Sequence, residues 1–201
     1  MFKLCVMASG RGSNFASIVE KIEAGDVPAI VDVLVSDNPQ ARALQTAKEH
    51  GIATAVFRRE DYPTNKAHNQ AIVEFLKPRG IDLIVLAGYM RLIKAPLLEA
   101  YPNRIINIHP ALLPSFPGLD GQKQALEYGV RYSGCTVHFV DAGVDSGPVI
   151  LQKVVPVEPD DTVETLSARI LKEEHKLLPR AITLIAQGKV SVEGRKVTIR
   201  P

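Results

Sequence analysis

Lys3-Leu4-Cys5-Val6-Met7-Ala8, running into Ser9-Gly10-Arg11-Gly12-Ser13-Asn14, decides how this chain folds. A strand-like run feeds a glycine-rich turn, and an amphipathic segment near Asn14–Glu23 follows it. Further outward the pattern repeats, with strand-like runs at Ile30–Ser36, Ile52–Phe57 and Leu83–Ala87. Helix-like segments near Ala41–His50 and Thr64–Lys77 separate them, and Gly25, Gly51 and Gly80 stand where helix C-terminal caps belong. Strands alternating with amphipathic helices predict an α/β fold. Its sheet is Rossmann-like and mostly parallel, with right-handed crossovers and helices on both faces.

From Ile105 onward the rhythm changes. A short strand, Ile105–His109, leads into a Pro-rich loop from Pro110 to Gly118 and a short helix near Gln122–Tyr128. Cys135–Val140 and Val149–Val155 read as strands joined by the turn Asp141–Pro148, so the C-terminal part of the sheet is expected to be mixed. A long helix is expected over Thr162–Gln187, with Asp161 and Glu164 spaced as a capping box and Pro179 bending or interrupting it. Lys189–Val192 and Lys196–Ile199 around Glu193-Gly194 form a closing β-hairpin. No linker divides the chain, so residues 1–201 are expected to be a single domain.

Composition excludes several classes. The chain has 46% hydrophobic and 23% charged residues, ordinary for a soluble globular protein. A formal charge of +2 without a Lys/Arg run argues against a nucleic-acid partner. No apolar run is long enough for a bilayer, and Phe2–Ala8 lacks the layout of a signal peptide. Cys5 and Cys135 lie in apolar strands and read as buried reduced thiols, which suits a cytoplasmic location.

Chemistry gathers in a few places. Asn107 and His109 are two apart on one strand, so they share a face, while Ile106 and Ile108 take the other. Pro110 should end that strand and leave His109 at its tip, where α/β sheets keep their reactive groups. The Ser9–Asn14 loop suits a phosphate, since glycines admit backbone amides and a helix N-terminus offers unpaired donors. The alternative is a plain strand-to-helix turn with Ser13 or Asn14 as N-cap. A dinucleotide fingerprint matches only in part: Asp37 stands where a ribose-binding acid would, but Phe15 replaces the third glycine. Asp145 lies in a Gly-rich turn and becomes a candidate orienter only beside the Asn107/His109 pair. Cys135 and His138 fall on opposite faces of one strand, and no HExxH or paired CxxC motif exists, so no metal site is expected. Glu174 falls inside the core-facing stripe of the long helix, either as an internal ion pair or as an acceptor for ligand hydroxyls. Gly88–Leu92 follows a strongly apolar strand and is either cleft-facing or a loop covering the core.

These segments, together with Leu86-Ala-Gly-Tyr-Met-Arg91, Asn107-Ile-His-Pro-Ala-Leu-Leu-Pro114, Pro117-Gly-Leu119, Val137-His-Phe-Val140 and Asp145-Ser-Gly-Pro148, closely resemble the glycinamide ribonucleotide formyltransferases. Those are folate-dependent enzymes of purine synthesis. The resemblance runs from the first strand to the long helix. It implies a phosphate- and nucleotide-binding half, 1–100, and a catalytic and folate-binding half, 101–201. Gly12, Ser13, Asn14 and Glu174 would bind phosphoribosylglycinamide. Met90, Arg91, Leu92, Asn107, Val140, Asp141, Ala142, Gly143, Val144 and Asp145 would line the site of the co-substrate, 10-formyltetrahydrofolate. Asn107, His109 and Asp145 would be catalytic, without a metal. Partners would be these small molecules, not nucleic acid or membrane, with monomer and homodimer both open. The chain departs from the family at Asn65, where a basic residue is common, and at Asp120, where His is common. A formyltetrahydrofolate hydrolase is the nearest alternative, though its usual relatives carry an extra N-terminal domain that is not seen here.

Overall fold

A computed structural model describes residues 1–201, and its Cα positions group into two compact units, Met1–Ile106 and Asn107–Pro201. The first unit is built as β1 (Phe2–Met7), α1 (Ser13–Glu23), β2 (Ala29–Ser36), α2 (Arg42–Glu49), β3 (Ala53–Val56), α3 (Asn65–Leu76), β4 (Leu83–Leu86), α4 (Ala95–Ala100) and the start of β5 (Ile105–His109). Its strands lie in the order β3-β2-β1-β4-β5, and β1 pairs in parallel with both β2 and β4. A parallel sheet covered on both faces needs continuous apolar runs rather than alternation. Leu4 to Met7, Val33 to Val35 and Leu83 to Val85 are accordingly all 0% exposed. At the edge, β3 is short and partly exposed. As expected, Gly25, Gly51 and Gly80 take the left-handed backbone just past helix ends.

The second unit continues from the end of β5 with α5 (Gly121–Tyr128), β6 (Tyr132–Phe139), β7 (Val149–Pro156), α6 (Val163–Ala186) and the hairpin β8 (Val190–Glu193) and β9 (Lys196–Ile199). Here the order is β5-β6-β7, and β6 pairs antiparallel with β7. The α/β class, the parallel first part, the antiparallel later strands and the closing hairpin all stand as expected. No helix is long and apolar enough to cross a membrane.

Three local expectations need correction. The capping box of α6 is formed by Thr162 and Thr165, not by Asp161 and Glu164. Asp161 instead accepts from the Glu158 amide at 2.7 Å and holds Arg169 at 2.5 and 2.9 Å, an ion pair that depresses its carboxyl well below the usual range. Pro179 does not interrupt α6, which runs unbroken through it. Its neighbours Leu177, Leu178, Ala181 and Ile182 are all buried, and their packing outweighs one missing N–H bond. Helix α4 was not anticipated: at six residues, with Pro96 in its first turn, it is too short to show a 3.6-residue period.

Candidate active site

Within the second unit, β5 ends at His109 because Pro110 cannot donate to a ladder. Asn107 and His109, on one face of that strand, reach the same carboxylate. His109 Nδ1 lies 3.3 Å from Asp145 Oδ2, and the Asn107 amide donates to Asp145 Oδ1 at 3.5 Å. The other ring nitrogen of His109, Nε2, donates to the Phe116 carbonyl at 2.8 Å. The ring is only 4% exposed, yet its nitrogens face polar partners rather than hydrocarbon.

A fourth side chain, not anticipated as part of this group, is His138 on β6. Its Nδ1 donates to the Phe139 carbonyl at 2.8 Å, and its Nε2 stands 3.2 Å from the Asn107 amide nitrogen. Nε2 also lies 3.6 Å from Asp145 Oδ1. The register of β6 against β7 shifts between Val137 and His138, and such irregularities re-aim a side chain. The signal in the sequence was the same as for His109, a polar ring in an otherwise apolar strand.

Asp145 occupies a left-handed backbone position, φ 49°, in the turn between β6 and β7. The turn braces itself: Asp141 Oδ1 accepts from the Gly143 amide at 3.0 Å and the Ser146 hydroxyl at 2.6 Å. Gly147 is required, since a Cβ there would come within 1.7 Å of the Phe139 carbonyl oxygen. The Gly118 amide anchors Asp145 Oδ2 at 2.8 Å. Burial pushes the Asp145 carboxyl upward, but His138, the Gly118 amide and His109 outweigh it and hold the group below its ordinary value. Of the remaining folate candidates in this turn, Val144 is 57% exposed, Ala142 and Gly143 are exposed, and Val140 and Asp141 are half-buried.

The loop that supplies Phe116 and Gly118 is tied to β6 and β7. Thr136 Oγ1 donates to the Ala111 carbonyl at 2.7 Å and accepts from the Leu113 amide at 3.1 Å. Gln152 reaches both Thr136 Oγ1 and the Leu113 carbonyl, at 3.0 and 2.8 Å. Glu174, on α6, is 6% exposed, as its place in the stripe predicts. It lies near Cys135, whose thiol is pushed up to about 12 by burial and then by Glu174.

In the first unit, α1 is opened by Gly12 at φ 76°, not by Ser13 or Asn14, and no side-chain bond caps it. A Cβ on Gly12 would lie 2.6 Å from Ala43 Cβ, so both the backbone angle and the neighbour demand glycine. The amides of Ser13, Asn14 and Phe15 head the helix with its positive dipole end. Phe15, in place of a third glycine, is fully buried. The loop is stitched to the segment after β4: the Ser9 amide donates to the Gly88 carbonyl at 3.0 Å, and Ser9 Oγ accepts from the Met90 amide at 2.8 Å. Asp37, buried at the end of β2, takes Arg91 Nε at 2.5 Å. Burial, with that carboxylate nearby, pushes the Tyr89 phenol upward. Met90 and Leu92 are 60% and 51% exposed, so neither covers the core. Asn65 is exposed and accepts from Arg59 Nε at 2.5 Å, which brings a guanidinium to the position where the sequence lacks a basic residue.

Comparison with known proteins gives a consistent answer. The family model described as "Formyl transferase" matches residues 2–182. A phosphoribosylglycinamide formyltransferase of Bacillus subtilis (strain 168) is 47% identical over 182 residues, which is 90% of this chain and 93% of that protein. The trifunctional purine biosynthetic protein adenosine-3 of Drosophila melanogaster is 42% identical over 188 residues, 92% of this chain but 14% of that longer protein. The crystal structure of glycinamide ribonucleotide transformylase 1 from Symbiobacterium toebii is similar with a TM-score of 0.98 and 49% identity, covering 100% of this chain and 95% of that one.

Proposed function

The chain belongs to the formyl transferase family, and from that premise we propose that it acts as a phosphoribosylglycinamide formyltransferase. It moves the formyl group of 10-formyltetrahydrofolate to the amine of 5-phosphoribosylglycinamide, a step of purine biosynthesis. The meeting of Asn107, His109 and Asp145 within 3.5 Å at the tip of β5 carries the chemical side of this reading. Attack of an amine on a formyl carbon builds a negative oxygen and requires a proton to pass from the attacking to the leaving nitrogen.

Asn107 is the amide donor for that oxygen. Its amide nitrogen lies 3.2 Å from His138 Nε2 and donates to Asp145 at a longer 3.5 Å. The bond to Asp145 is the contact a stronger acceptor would replace. His109 is anchored through Nε2 by Phe116, which leaves Nδ1, 3.3 Å from Asp145, as the nitrogen that holds and delivers the proton. Asp145 orients the ring while the Gly118 amide holds the carboxylate in place. Losing a single oxyanion donor costs about 10²–10³ in turnover.

Gly12, Ser13 and Asn14 take the nucleotide phosphate through the uncapped first turn of α1, and Glu174 accepts from ribose hydroxyls. Met90, Arg91 and Leu92, with Val140 to Asp145, serve the folate. Met90 and Leu92 in the first unit, and Val144 in the second, each leave an apolar side chain exposed. On this reading, residues 1–201 work as one formyltransferase domain in the cytoplasm, with a phosphate-binding half and a catalytic half.

Loss of 10-formyltetrahydrofolate, followed by absorbance with and without 5-phosphoribosylglycinamide, tests the proposal. Consumption that depends on the amine supports it. Consumption at the same rate without amine would instead make the protein a formyltetrahydrofolate hydrolase.

A further inference from the structure

We propose that α5 positions the His109 imidazole: Gln124 and Tyr128 hold the Phe116 loop so that a strained backbone presents its carbonyl to Nε2 and leaves Nδ1 as the working nitrogen. This rests on the catalytic part given to His109 above.

The strain is visible at Phe116, whose φ is 54°. A side chain with a Cβ disfavours the left-handed region, and the following Pro117 pushes its predecessor toward extended backbone. Phenylalanine before proline therefore does not adopt this angle without support. The payoff of the angle is directional. The Phe116 carbonyl meets His109 Nε2 at 2.8 Å, and two residues later the Gly118 amide meets Asp145 Oδ2 at 2.8 Å. One short loop thus sets both members of the imidazole–carboxylate pair.

The support comes from one face of one helix. Gln124 Nε2 donates to the carbonyls of Pro117 and Leu119 at 3.2 and 2.8 Å. One turn further on, the Tyr128 ring stands edge-on to Phe116, with centroids 5.7 Å apart and planes at 63°. Tyr128 is otherwise 79% exposed, so burial in a core does not account for its place. A carbonyl can only accept, so while it faces Nε2 that nitrogen keeps its hydrogen. If the loop relaxes, Nε2 loses that acceptor and the hydrogen of a neutral ring shifts toward Nδ1, which faces Asp145 Oδ2 at 3.3 Å. Gln124 and Tyr128 are positioning residues, acting on the imidazole through the Phe116 backbone.

The test uses the full chain labelled with ¹⁵N at histidine, with the His109 ring signals assigned by their disappearance in His109→Gln. Tyr128→Ala is expected to move those signals from the Nε2–H form toward the Nδ1–H form that faces Asp145. It should also lower kcat about ten- to a hundredfold, as small misplacements of a reacting group do, with KM for both substrates nearly unchanged. Tyr128→Phe keeps the ring contact and should retain parental signals and kcat. In a Phe116→Gly background the backbone angle needs no ring to hold it, so adding Tyr128→Ala should leave the His109 signals where they were. Parental ring signals in Tyr128→Ala would overturn the proposal. So would an equal effect of Tyr128→Ala with and without Phe116→Gly. Thermal midpoints separate unfolding from repositioning, and an unfolded Tyr128→Ala shifts the decision to Gln124→Ala, read by the same signals. Failure of the catalytic reading is distinguishable: His109→Gln would then keep turnover although the ring signals still respond to Tyr128.

Discussion

The tip of β5 and the start of α1, to which the proposed function gives an oxyanion and a phosphate, are built of different material. At the tip, Asn107, His109, His138 and Asp145 come from two strands and a turn, and each side chain is partnered by the others. At the start of α1 no side chain caps the helix; the donors are backbone amides presented by Gly12. A network of side chains can be tuned, because removing one member changes the protonation and aim of the rest. A backbone cradle depends on conformation alone, and the residue that matters has no side chain. Mutation should therefore strike the two regions differently, in rate at the first and in binding at the second.

Asp145→Asn offers the sharpest break. Asparagine tolerates the left-handed backbone and keeps the shape, so the fold should survive while steady-state turnover drops about 10²–10⁴-fold with loss of proton-transfer support. Near-parental turnover would remove Asp145 from the reaction. Glu174→Ala should sharpen the contrast from the other side: nucleotide affinity falls roughly ten- to a hundredfold, as for loss of hydrogen bonds to a charged group, with folate affinity intact. Equal losses for both ligands in calorimetric titration would make Glu174 structural. Gly12→Ala should weaken nucleotide binding and lower unfolding free energy in denaturant by at least about 1–2 kcal/mol, the cost of a left-handed non-glycine residue, since its Cβ would also meet Ala43 Cβ at 2.6 Å. A variant as stable and as tightly binding as the parent would show that the cradle does not need its glycine.

The smallest effect concerns acid. The folded protein holds the Asp145 carboxyl below its ordinary 3.8, so its stabilising contribution is complete above that value and is lost as pH falls through the lower, folded one. Asp145→Asn should flatten the acid limb of the stability curve in that window and lower the neutral plateau by the contribution it removes. Identical acid limbs would mean that the carboxylate is not stabilised as described.

Much of this molecule was legible in local chemistry. A short continuous apolar run such as Leu83–Leu86, flanked by Gly80 and Gly88, reads as a buried strand, and Gly25, Gly51 and Gly80 mark helix ends because few other residues adopt that backbone. Asn107 and His109 stood out because polar groups in an apolar strand need partners. What escaped were features without a local signature. Helix α4 spans less than two turns. The cap of α6 fell to Thr162 because Asp161 is drawn to Arg169, eight residues along.

The order and identity of side chains by themselves determined the alternation of strands and helices and the shared face of Asn107 and His109, since each follows from backbone sterics and strand periodicity. Tertiary structure alone decided that His138 would join them, that the Phe116 carbonyl and the Gly118 amide would hold the imidazole and its carboxylate, and that Tyr128 would stand behind Phe116. Those are contacts between chain segments far apart in sequence or made through backbone atoms every residue carries, and no residue type announces them.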